Sequence, residues 1–134
     1  MIAAEVIVLE KRARWAPELQ RQFYENPVTV RACRDIASLR ERVTAACAAR
    51  KDCVAVLDPV GWPGECLPII AWLRGLKIHV VVAANSEIEL LEPSLRELGV
   101  TTFLLPPISG HEIGSACRRL ISQNSIQSLS MGMR

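Results

Sequence analysis

Two kinds of segment alternate along this chain. Apolar runs fall at Glu5–Leu9 (EVIVL), Val28–Ala32 (VTVRA), Cys53–Leu57 (CVAVL), Ile78–Ala83 (IHVVVA) and Thr102–Leu105 (TFLL). Most are apolar at consecutive positions, the pattern of strands covered on both faces, as in a parallel sheet. The run at 28–32 is weaker and alternates, which suits an edge strand. Between the runs lie helical stripes: Trp15, Leu19 and Phe23; Ile36, Leu39, Val43 and Cys47; Leu67, Ile69, Ile70 and Leu73; Ile88, Leu91, Leu95 and Leu98; Ile113, Cys117, Leu120 and Ile121. Each stripe can cover one face of a sheet.

The punctuation agrees. Pro17 and Pro68 are tolerated only in a first helical turn, so two helices start near them. Pro93 kinks the fourth helix or restarts it. Gly99 stands where a C-terminal cap belongs, just before a strand. The order predicts five βα units and an α/β fold. It is a doubly wound, flavodoxin-like parallel sheet with right-handed crossovers and strand order 2-1-3-4-5. Residues 5–122 form the domain, and the Ser/Gln-rich stretch 123–134 reads as a flexible tail or the start of a linker.

Composition narrows the function classes. The chain has 134 residues, half of them hydrophobic, enough for one domain with a real core. The net charge is +2, with no dense basic stripe, and aromatics make up 4%. Those values argue against direct nucleic-acid binding. No membrane-length apolar segment is present. The five cysteines are scattered singly and there are only two histidines, so no zinc pattern exists. Their apolar neighbours predict reduced, buried thiols and a cytoplasmic protein, with Cys66 the one candidate for exposure.

Ligands of such sheets sit beyond the carboxyl ends of the strands, where strand order reverses. That rule brings together Glu10 and Lys11, after the first strand, and Asp58, after the third. Two readings stay open for this acidic pocket. Glu10 and Asp58 can hold a divalent cation, or Lys11 can pair with the carboxylates as a structural ion cluster. No GxGxxG, Walker-type loop or nucleophile elbow is present. His79 reads as a core residue or the opening of a strand, and His111 as solvated. Trp62 caps the cluster or, preferably, packs on the third helix.

The stretch LRELGVTTFLLPPISGHEIGSACRRLI, with Asp58 closing the third strand and Pro63-Gly64 following it, resembles a response-regulator receiver domain of two-component signalling. The resemblance implies that Asp58 occupies the phospho-accepting position and Phe103 that of the switch aromatic. It also implies chemical losses. The acidic pair after the first strand is Glu10-Lys11 here. Ala84 stands where a phosphoryl-binding Ser/Thr belongs, and Pro106 where a Lys belongs. The chain is thus expected to be a degenerate, or pseudo-, receiver. It is expected to lack enzyme activity and a cofactor, and to act by phosphorylation-independent protein contact. The surface implied is that of the fourth helix, fifth strand and fifth helix, with Arg96, Glu97, Arg118 and Arg119. Its partner would be an output domain or a second copy in a homodimer. The alternatives are a receiver phosphorylated on Asp58 with Mg²⁺ and a small-ligand-binding flavodoxin-like domain.

Overall fold

The computed structural model describes residues 4–24, 28–62, 64–83, 92–104 and 108–132. The strands are β1 (Ala4–Leu9), β2 (Val28–Cys33), β3 (Asp52–Leu57), β4 (His79–Ala83) and β5 (Thr102–Leu104). The helices are α1 (Trp15–Gln22), α2 (Ile36–Ala48), α3 (Cys66–Gly75), α4 (Glu92–Glu97) and α5 (Gly110–Gly132). The sheet order is β2-β1-β3-β4-β5 and every pairing is parallel. The doubly wound reading is therefore correct, with β2 on one edge and β1 and β3 at the centre.

Strand alternation sorts the core into two layers. Ile7, Leu9, Ala55, Leu57, Val80 and Val82 face α2 and α3, where they meet Leu39, Val43, Ile69, Ile70 and Leu73. Val6, Val8, Val54, Val56 and Val81 face the opposite way, onto Trp15, Leu19 and Phe23 of the α1 segment and Ile113, Cys117 and Leu120 of α5. Each such side chain contributes about 1.5–3 kcal/mol by leaving water.

Helix ends follow local chemistry. The Asp35 Oδ1 accepts from the Ser38 N–H at 2.7 Å and caps α2. That hydrogen bond holds the Asp35 carboxyl below its ordinary range. Pro17 and Pro68 both fall in first turns, and Pro93 lies within the described part of α4, while Ile88 and Leu91 of its predicted stripe lie outside the described residues. Gly99 takes φ +86 after α4, and its N–H reaches the Arg96 carbonyl. Arg50 (φ 58) and Lys77 (φ 64) close α2 and α3 in the same left-handed way without a glycine. The Lys51 N–H then bonds the Ala46 carbonyl, and the Ile78 N–H the Leu73 carbonyl.

Residues 123–132 continue α5, and neither glycine nor proline interrupts the chain from Ser115 to Met131. The cysteines sort by burial. Cys47 is exposed and Ala46 takes its place in the α2 stripe, because the line through Leu39 and Val43 reaches the sheet at Ala46. Cys66, the one candidate for exposure, is buried with Cys33, Cys53 and Cys117, as its reading as a structural thiol requires. Burial pushes the Cys66 thiol up to about 11, with the Asp58 charge adding to it. Burial pushes Cys53 and Cys117 up to about 12.

Two measurements check this description. In native protein, iodoacetamide at mildly alkaline pH is expected to modify Cys47 alone, and Cys47→Ser to abolish the rapid labelling. Rapid labelling of Cys66 would contradict its burial. Gly99→Ala is expected to lower unfolding free energy by about 1 kcal/mol, and Lys77→Gly to raise it by up to about 1 kcal/mol, in denaturant titrations.

Candidate functional site

The central strands stay paired just past their ends. The Glu10 N–H donates to the Cys33 carbonyl, and the Asp58 N–H donates to the Leu9 carbonyl. Glu10 and Asp58 thus leave the sheet side by side at the switch point, as the sequence predicts. Their side chains have different surroundings.

Glu10 is 2% exposed. Its Oε1 accepts from the N–H groups of Arg14 (2.9 Å) and Trp15 (3.0 Å). Its Oε2 accepts from Trp15 (3.1 Å) and Ala16 (2.9 Å). These are amides that open α1, and every helix leaves such donors without an internal partner. The residue at the usual capping position, Arg14, makes no side-chain cap bond. Glu10 therefore caps α1 from upstream, and its charge lies at the positive end of the helix dipole. Sequence reading assigned Glu10 to an acidic pocket and missed this role. The signal was present: no Ser, Thr, Asp or Asn precedes Trp15 within the loop 11–14, so the cap has to come from elsewhere.

Lys11 runs the other way, along the turn after Asp58. That turn is a 3₁₀ segment, Pro59–Gly61. A Cβ on Gly61 would fall 2.7–3.1 Å from Lys11 Cγ, Cδ and Cε, so any larger residue there would make the lysine stem shift. The Lys11 ammonium ends 5.7 Å from the Trp62 ring centroid, within range of a cation–π attraction. Trp62 is 9% exposed and packs into the α2–α3 core layer with Cys66. Its carbonyl accepts the Cys66 N–H at the start of α3. Packing, the preferred reading of Trp62, is what the side chain does.

Asp58 is half-buried, and its charge is close enough to Cys66 to raise that thiol. Ala84 and Pro106 lie outside the described residues, as does the side chain of Phe103. The Phe103 backbone sits in β5 opposite Val82.

A hard divalent cation seeks several carboxylate or carbonyl oxygens free to converge on it. Both Glu10 oxygens are engaged by amides, and the neighbouring position carries an ammonium. Among the described residues no three His, Cys, Asp or Glu side chains form a metal cluster.

Of the residues expected on the α4–β5–α5 surface, Arg96, Glu97 and Arg119 are exposed. Arg119 Nη2 donates to Thr102 Oγ1 of β5 at 3.2 Å. Arg118 belongs elsewhere. It donates to Gln22 Oε1 at 3.1 Å and lies 5.1 Å from the Phe23 ring, against the α1 side of α5. The helical turn separates these adjacent residues by about 100°, which places them on different sides of α5. His111 is exposed at the start of α5, and His79 opens β4 with Nδ1 3.2 Å from Thr101 Oγ1, as the sequence predicts for both.

No family model matches the chain, and no curated protein matches it. Solved structures do. The signal receiver domain of a LuxO repressor protein from Vibrio parahaemolyticus superposes with TM-score 0.75 at 14% identity, over 96% of this chain and 98% of that one. The receiver domain of TorR, the response regulator of the TMAO respiratory system, gives TM-score 0.75 at 17% identity, over 90% and 98%. NtrX from Brucella abortus gives TM-score 0.77 at 13% identity, over 99% of this chain but 29% of that longer one. At these identities the likeness concerns architecture, and in architecture this chain has the fold of a response-regulator receiver domain.

Proposed function

We propose that this receiver-fold domain transmits a signal by protein contact and without phosphoryl transfer. The observation that carries the reading is the commitment of Glu10 to the α1 amides. Phosphoryl transfer to a carboxylate depends on positioned cations that neutralise the developing charge. In a receiver the metal-binding acids follow the first strand, and here one is a helix cap and the other is Lys11. Ala84 supplies no hydroxyl and Pro106 no ammonium or N–H. Asp58 then acts as a retained structural acid, while the neighbouring Lys11 extends along Gly61 to the Trp62 ring. No cofactor is needed, and none of this chemistry makes the domain an enzyme. The contact surface is the exposed face with Arg96, Glu97 and Arg119. Its partner is an output domain or a second copy of the chain, in a cytoplasmic setting.

Incubation with Mg²⁺ and acetyl phosphate, followed by intact-mass measurement, tests the first part. No adduct is expected. A stoichiometric phosphoryl adduct that disappears in Asp58→Asn would establish the phosphorylated-receiver reading instead.

The sign of a stability change tests the role of Glu10. An acid held in a pocket of acids is relieved by removal, whereas a cap is missed. Glu10→Ala is expected to lower unfolding free energy by about 2 kcal/mol, because buried amides at the start of α1 lose a charged acceptor. An unchanged or raised denaturant midpoint would count against the capping role.

A further inference from the structure

We propose that the loop between β1 and α1 docks an acidic segment of a protein partner through Arg12 and Arg14. This rests on the protein-contact reading and names a second contact surface for it, at the crest of the sheet. The argument begins with what the loop exposes. Glu10 is buried beneath it, with its charge taken up by the α1 amides. Lys11, Arg12, Ala13 and Arg14 are exposed. The outward charge of the loop is therefore entirely cationic, at the point where folds of this kind bind their ligands.

These cations are not all free-swinging chains. The Arg14 guanidinium lies 4.2 Å from the Trp15 ring centroid, and Trp15 is itself a buried core residue. A guanidinium stacked on an indole keeps its in-plane N–H donors directed outward, where they match carboxylates. Lys11 is held in the same manner by Trp62, on the side facing the β3–α3 turn. Arg12 stands between them with no hydrogen-bond or ion-pair partner among the described residues. Fixing long side chains in advance lowers the entropy lost on binding.

The same geometry decides what kind of anion fits. Compact phosphate sites are built from converging backbone N–H groups at a helix start. Here the Arg14, Trp15 and Ala16 amides already bond Glu10. What remains is a row of side-chain cations, one leaning toward α1 and one toward the β3–α3 turn. A row suits carboxylates spaced along a polypeptide better than a single compact anion. The other exposed face offers a weaker match, since Glu97 interrupts its cations and Arg119 is bonded to Thr102.

Fluorescence anisotropy with a labelled octaglutamate peptide tests the proposal. Binding is expected at low ionic strength, weakening steeply with salt and accompanied by a change in tryptophan emission, since Trp15 lies under Arg14. The double variant Arg12→Glu, Arg14→Glu is expected to weaken it by about tenfold or more, while Arg96→Glu, Arg119→Glu leaves it within about twofold. Should charge reversal unfold the domain by circular dichroism, Arg12→Gln, Arg14→Gln carries the same test. No binding, loss of binding only in the α4–β5–α5 variant, or displacement of the peptide by equimolar pyrophosphate would each overturn the proposal. None of these outcomes bears on whether Asp58 accepts a phosphoryl group, which intact mass decides separately.

Discussion

The structure turns on one buried carboxylate. Glu10 lies beyond the end of the central strand β1, almost fully removed from water, where an unpaired charge would be several kcal/mol too costly to keep. The opening amides of α1 resolve that problem. They stabilise the charge, and the charge satisfies donors that α1 has no other means of capping. The bond also joins the centre of the sheet to the first helix on one face. Trp15 and Leu19 are thereby set over Val6 and Val8, and the rest of that layer, with α5, closes around them.

The electrostatics of the crest follow from the same bond. With Glu10 withdrawn, the loop above it shows cations only. Lys11 passes across Gly61 to the Trp62 face, and Asp58 sits within a half-buried environment beside it. A site that alternates between charged states needs groups able to move and ligands able to leave. Here the acid is tied to backbone, the lysine stem is threaded past a glycine, and the tryptophan beneath is packed into the core.

Much of the architecture was legible in the residues. Two-faced apolar runs give parallel strands, helical stripes give the covering layers, and Gly99, Pro17 and Pro68 mark real boundaries. The place of Asp58 just past β3 was legible because it is the first polar residue after the apolar run Cys53–Leu57. What escaped has physical reasons. Arg50 and Lys77 close their helices in a left-handed conformation that sequence assigns to glycine, and the backbone bonds formed there outweigh a strain of about 1 kcal/mol. Cys47 and Ala46 are neighbours at the edge of one stripe, so period alone does not choose between them. The direction of a side chain at a strand end is set by what it can bond. Glu10 looked like the neighbour of Asp58 in space because its backbone is that neighbour.

That distinction between backbone position and side-chain direction separates the fold from the side-chain chemistry at its crest. Hydrogen bonds between main-chain atoms of Leu9 and Asp58, and of Glu10 and Cys33, fix the switch point whatever side chains stand there. A carboxylate at that point is then free to take whichever donors lie nearest. In this chain the nearest donors belong to α1, because the loop supplies no other cap. Glu10 bound inward and Lys11 turned toward Trp62 thus form one consistent arrangement.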